Sequence, residues 1–167
     1  MIRAARPDEF PALAAIESAA ALAFRGTPME FVLALPAAPA KPPAPLPDAA
    51  FIWVCVDADD RPVGFLEAEV FDGWLHILEI SVHPAAQRRG HARALIERAR
   101  REAVARRLGC LSLTTDHAIA WNGPSYRRMG FVELAPAQLP GWLAAILQHE
   151  ISLGFDPARR VAMALPA

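Results

Sequence analysis

The chain is poor in lysine, tyrosine and cysteine, and each shortage narrows what it can be. Lys41 is the only lysine, against sixteen arginines. It sits among prolines with no GxxxxGK[ST] around it, which excludes a P-loop nucleotide hydrolase. Cys55 and Cys110 are the only cysteines. Far apart and without metal-ligand spacing, they argue against a disulfide framework or a zinc site, and no metal is expected. No segment approaches eighteen uninterrupted apolar residues, and MIRAARPDEF lacks the apolar run of a signal peptide. The expectation is a soluble, cytoplasmic protein with no membrane partner. A net charge of -1 gives no general attraction to nucleic acid.

What is present is apolar: 54% of 167 residues are hydrophobic, enough for one core in one domain spanning residues 1–167. Residues 2–6 fit a short strand. Asp8 is placed to cap a helix whose apolar positions Phe10, Leu13, Ile16 and Ala20 recur at helical spacing. Residues 29–35 fit a second short helix. Six prolines in residues 36–50 then impose an extended loop, long enough to act as a flap. Residues 51–56 and 63–70 read as a hairpin across DADDRP, and residues 74–82 as a third antiparallel strand, apolar enough to be central. From Gly90, the residues Ala92, Leu95, Ile96, Ala99, Ala103 and Leu108 mark an amphipathic helix, with Gly109 as its expected stop. Residues 110–115 form a buried strand, parallel to the previous one because a helix intervenes. A short helix at residues 125–129, a strand at 131–134, a helix at 141–152 and a closing strand at 160–165 complete the chain.

The densest feature is the turn SVHPAAQRRGHA, residues 81–92. A helix start offers unpaired N–H groups and the positive end of the helix dipole, and a glycine lets the backbone approach an anion. Several successive N–H groups suit a pyrophosphate. A plain helix start with solvated arginines is the alternative on this turn alone. The absence of GxGxxG speaks against a Rossmann dinucleotide site. Eight arginines between residues 88 and 107 read as a solvated helix face rather than a nucleic-acid patch.

VHPAAQRRGHA resembles the acyl-CoA motif V-x-P-x-x-[QR]-x-x-G-x-[GA] of the GCN5-related N-acetyltransferase (GNAT) family, with Gln87, Gly90 and Ala92 at its defining positions. Tyr126-Arg-Arg-Met-Gly-Phe131 is similar to the family's Y-x-x-x-G-F. The resemblance implies an α/β (α+β) GNAT fold: a mixed, mostly antiparallel sheet of about seven strands, splayed in the middle, with helices on both faces. It implies acetyl-CoA as cofactor, bound at Gln87 and with its phosphates on the backbone N–H groups of Arg88, Arg89, Gly90, His91 and Ala92, and its pantetheine amides on Ile80, Ser81 and Val82.

The resemblance also places a general acid at Tyr126, the only tyrosine. A phenol with a pKa near ~10 can protonate a departing thiolate; the alternative is a packed ring with its hydroxyl bonded nearby. Glu79, on a strand face with Ser81 and His83 at period two, resembles the family's base acting through water. A partner for an arginine is the alternative, since a buried carboxylate needs one. His83, ahead of Pro84, suits packing or solvent better; His76, His117 and His149 read as surface or structural. The family's cofactor-contacting asparagine lies seven residues before the tyrosine, where this chain has Ile119. Asn122, in a WN-x-P-x-Y variant, either caps the next helix or touches the pantetheine, and Trp121 reads as a packing residue. No GxSxG occurs and neither cysteine has a base nearby, so direct attack in a ternary complex is expected.

The function implied is N-acetylation of a small-molecule amine, with acylation of a peptide N-terminus and a non-catalytic acyl-CoA-binding module as alternatives. Glu17, Glu30 and Glu150 are candidate contacts for a cationic acceptor, each also readable as a solvated side chain. A homodimer is left open.

Overall fold

The structure, a computed structural model, describes residues 1–35 and 49–167; the proline-rich flap expected at residues 36–50 lies almost wholly outside them. Among these residues, seven strands form one mixed, open sheet in the order β1-β2-β3-β4-β5-β7-β6. They are β1 Ile2–Ala4, β2 Ala50–Val56, β3 Pro62–Phe71, β4 Trp74–Val82, β5 Cys110–Asp116, β6 Val132–Glu133 and β7 Arg160–Pro166. Among the described residues, four α-helices accompany them: α1 Phe10–Ala21, α2 His91–Ala105, α3 Gly123–Arg128 and α4 Gly141–Ser152. Residues 160–165 do form the last strand, but it inserts between β5 and β6, so the two-residue β6 becomes the edge. The chain divides into two compact units, Met1–Glu69 with Leu78–Ala99, and Val70–Ile77 with Arg100–Ala167.

In the first unit the β2–β3 hairpin forms where the two apolar runs flank the DADDRP turn, with Val54 opposite Phe65 and Trp53 opposite Leu66. Period two sends these pairs to opposite faces. Ile52, Val54, Val56 and Phe65 face α1, whose Leu13 and Ile16 complete a buried cluster. Trp53 faces the other way and carries the guanidinium of Arg98 from α2 at 4.8 Å from its ring centre. The unit therefore has a helix on each face. Asp8 does not cap α1. It lies in a 3-10 turn over Pro7–Glu9, and the carboxylate of Glu9 instead accepts the backbone N–H of Arg6 at 2.7 Å. Residues 29–35 form a 3-10 turn over Glu30–Ala34 rather than an α-helix.

In the second unit β4 and β5 run parallel, with Leu75 opposite Leu111 and His76 opposite Ser112. β5 pairs along its whole length with β7, from Cys110 opposite Pro166 to Asp116 opposite Arg160. The last turn of α2 ends before Gly109. Arg107 takes the left-handed conformation (φ 57°), its N–H bonds Val104 O, and Leu108 N bonds Ala103 O at 2.9 Å. That is a Schellman closure with arginine where glycine is usual. Gly109 instead donates its N–H to Gly73 O at 2.9 Å, leading the chain into β5.

Candidate active site

The first unit holds the strand end and the turn. His83 N donates to Val63 O at 2.8 Å, and a Cβ built on Gly64 would lie 3.0 Å from Val82 Cγ2 and 2.9 Å from both Ser81 O and Cys55 Sγ. Val82 therefore shares the face of Gly64 and Cys55, and its neighbour Ser81 points to the α1 face. Glu79 shares that face, because the Ser81 hydroxyl donates to its Oε1 at 2.6 Å. The acidic residue in an apolar strand is thus half-buried and bonded to its strand neighbour. Ile80 is half-buried, whereas Ser81 and Val82 are buried.

After Val82 a 3-10 turn over Pro84–Ala86 leads to Gln87. His83 is exposed, and its Nδ1 accepts the N–H of Ala85 at 3.3 Å, a local turn role. Gln87 folds back so that its Nε2 donates to Val82 O at 3.0 Å. Arg88 and Gly90 both have positive φ, 62° and 83°, so a left-handed residue stands on each side of Arg89. Such curled backbone aims successive N–H groups into one concavity. Gly90 O accepts Ala94 N at 3.0 Å, which makes Gly90 the cap residue of α2. His91 and Ala92 then open the first turn, where N–H groups have no intrahelical acceptor. The side chains of Arg88 and Arg89 are exposed. Nothing lies within 4 Å of a Cβ on Gly90, so glycine is needed there for its φ and not for want of space.

The second unit holds Tyr126 and Asn122. Tyr126 lies in α3, half-buried, its ring edge-on to Phe131 with centres 5.7 Å apart. Phe131 N donates to Tyr126 O at 3.1 Å, so the two signature residues are joined by ring and backbone. Asn122 occupies the N-cap position of α3, but its side chain makes no capping bond; its carbonyl accepts Tyr126 N at 3.0 Å. Ile119, where the family carries asparagine, is buried at 7% exposure. Trp121, expected as a packing residue, is 49% exposed.

Among the histidines, His76 is fully structural, 1% exposed and bonded through Nδ1 to Ser112 Oγ at 2.9 Å. Trp142 and Phe71 meet its ring edge-on at 5.4 and 6.0 Å. Burial pushes its pKa down to about 4, the Arg160 charge adding to the fall and that of Glu150 opposing it. Of the candidate acceptor contacts, Glu150 is committed to Arg160 in a two-bonded pair, and Glu30 accepts the N–H of Gly26. Glu17 on α1 is half-buried, and burial raises its pKa.

The sequence reading missed Asp116 and Arg159. Asp116 closes β5 at 3% exposure, and its carboxylate is gripped by Arg159 through Nε at 2.8 Å and Nη2 at 3.0 Å. The available signal was an acid ending the otherwise buried run CLSLTTD; its partner, 43 residues on, carried none.

The Acetyltransferase (GNAT) domain family model matches residues 48–133, just over half of the chain. The chain belongs to the GNAT acetyltransferase family, and acetyl-CoA is the donor of that family. Solved structures share the fold. The PaiA N-acetyltransferase of Thermoplasma acidophilum, in complex with coenzyme A, superposes with a TM-score of 0.69 at 12% identity, covering 100% of this chain and 98% of that one. An aminoglycoside 6'-acetyltransferase type Ii gives 0.64 at 15%, covering 99% and 96%. The ribosomal-protein-S18-alanine N-acetyltransferase of Escherichia coli gives 0.63 at 19%, covering 99% and 92%.

Proposed function

We propose that the chain transfers the acetyl group of acetyl-CoA to a primary amine of a small molecule by direct attack in a ternary complex. The observation that carries this reading is the turn after β4, where Arg88 and Gly90 in left-handed conformations deliver the backbone to the start of α2. Backbone N–H groups of residues 88–92 at such a turn suit a pyrophosphate without needing the arginine side chains. The backbone of Ile80, Ser81 and Val82 is the proposed ladder for the pantetheine amides, and Asn122 a further contact to it.

In the proposed chemistry, Glu79 takes the ammonium proton through water, which frees the lone pair for attack on the thioester carbon. The C–N bond forms, the C–S bond breaks, and the Tyr126 hydroxyl gives its proton to the departing thiolate; the acylated nitrogen sheds its extra proton to water, and solvent restores the phenol and removes the proton held by Glu79. Glu79 suits the base role because it is half-buried near the end of β4 and held by Ser81. Tyr126 suits the acid role because its ring is fixed against Phe131. The cytoplasmic setting is supported by two free, buried cysteines.

Peptide N-terminal acetylation is the second reading, since the S18-alanine enzyme and the aminoglycoside enzyme match this chain over the same 99% and the shared fold admits both acceptors. One screen tests both: amines and alanine-terminated peptides incubated with acetyl-CoA, with thiol release measured. Turnover of amines alone supports the first reading, and turnover of peptides alone replaces it. On the accepted substrate, Tyr126→Phe is expected to lower kcat at least ~100-fold, and an unchanged rate removes the acid assignment. Protein that gains thermal stability from coenzyme A but turns over nothing would be a binding module.

A further inference from the structure

Asp116 is a buried carboxylate to which the proposed chemistry gives no task. Both of its oxygens are nonetheless bonded. Oδ1 accepts the N–H groups of Ala118 at 2.8 Å and Ile119 at 2.9 Å, together with Nη2 of Arg159 at 3.0 Å, and Oδ2 accepts Nε of Arg159 at 2.8 Å. His117 N donates to Arg159 O at 2.9 Å, so the backbone beside the ion pair is tied to the same residue. Burial alone would push this carboxyl up, but Arg159 and the two N–H groups outweigh it and hold it below the usual carboxylate range.

From this anchor a continuous run of hydrogen bonds leads to Tyr126. The carboxylate holds Ile119 N; Ile119 O holds Asn122 N at 2.8 Å; Asn122 O holds Tyr126 N at 3.0 Å. A second tie presses the same helix onto the strand end. Gly123, the first residue of α3, lies so close that an added Cβ would meet His117 O at 2.7 Å and Asp116 O at 2.9 Å. Arg127, one residue past the tyrosine, donates from Nη1 to His117 O at 3.1 Å.

α3 is only six residues long, far below the length at which a helix holds itself together. Its place is set by what it is tied to. A buried ion pair adds little net stability over an apolar pair of the same volume, so the return on Asp116 and Arg159 is better sought in orientation. A misplacement of about 1 Å can cost about a hundredfold in rate.

We propose that Asp116, held by Arg159, is a positioning residue for Tyr126, fixing the 117–122 loop and through it the register of α3 on the end of β5. The inference rests on the reading of Tyr126 as the acid, but one of its tests does not.

Tyr126 is the only tyrosine, so tyrosine labelled with 13C at Cζ gives a single NMR signal reporting its environment and titration. In full-length protein, Asp116→Asn is expected to move or split that signal below the melting temperature, and Arg159→Lys to do so less. On the accepted amine, Asp116→Asn should lower kcat about tenfold with the KM for acetyl-CoA within about twofold. In a Tyr126→Phe background it should lower kcat no further. An unmoved signal, or an equal loss of kcat in both backgrounds, overturns the proposal. If Tyr126→Phe leaves kcat intact, the acid role fails by itself and the NMR signal alone decides positioning. Should Asp116→Asn not fold, Arg159→Lys and Arg159→Met carry the same tests.

Discussion

Gln87 donates its side-chain amide to the backbone carbonyl of Val82 at 3.0 Å, bracing the last residue of β4 against the turn that starts α2. The motif glutamine therefore acts inside the protein, tying the proposed pantetheine ladder to the proposed phosphate cradle. Its side chain need not touch a ligand for the motif to require it.

Loss of this brace should be felt in cofactor binding. Gln87→Ala removes one hydrogen bond worth about 1 kcal/mol, so calorimetry is expected to show coenzyme A binding weakened about fivefold, at constant stoichiometry. Gln87→Glu cannot donate to the carbonyl and should be no better than alanine. Full affinity in both variants would mean that the strand end and turn are fixed by other contacts.

Gly90 and Arg88 should respond in a set order. Gly90 has φ 83° with open space around it, and a β-branched residue there pays for the left-handed backbone or leaves it. Gly90→Val is expected to weaken coenzyme A binding at least tenfold, and Arg88→Ala less. Arg88→Gly relaxes φ 62° and should leave affinity near the parent value. The reverse order would assign the anion to the arginine side chain.

His76 makes stability depend on pH. Its folded pKa of about 4 lies below the ordinary 6.5, so between those values the unfolded chain takes up a proton that the folded one refuses. Its contribution is complete above about pH 6.5 and is lost progressively as pH falls toward 4, to a total of about 3 kcal/mol. Urea melts at pH 7 and pH 5 should show the loss. His76→Gln, though less stable throughout, should show a flatter profile, and an unchanged slope would place the titration elsewhere.

Gly123 has no room for a side chain, since a Cβ would sit 2.7 Å from His117 O and 2.8 Å from its Cα. Both are backbone atoms and cannot swing aside. Gly123→Ala is expected to cost about 1 to 3 kcal/mol in thermal or urea unfolding and to lower kcat more than the KM for acetyl-CoA. A variant of parental stability would show that the end of β5 yields.

Features with a local physical signature were legible in the sequence. Two apolar, β-branched runs at residues 51–56 and 63–70 on either side of the DADDRP turn marked the hairpin, and the apolar stripe of Leu95, Ile96, Ala99 and Ala103 marked α2. Errors came where two signals competed. Gly109 looked like the helix stop, but Arg107 takes the left-handed position and satisfies the last carbonyls two residues earlier. Asp8 looked like a cap, but Pro7 opens a 3-10 turn and the next residue, Glu9, reaches back to Arg6 N. Trp121 looked like a packing residue, yet its loop leaves it half exposed.

By itself the sequence determined the strand and helix order, the glycine at the turn and the paired motifs of residues 82–92 and 126–131, because each is written in a few neighbouring residues. Only the tertiary structure decided partnerships. It joined Asp116 to Arg159 and Glu150 to Arg160, buried His76 against Ser112, and turned Gln87 back onto Val82. Charge, burial and hydrogen-bond capacity are properties of a residue, whereas which carboxylate meets which guanidinium depends on where the strands and helices bring them. That is why the proposed reacting groups could be nominated from the sequence, while the residues proposed to hold them in place had to be read from the fold.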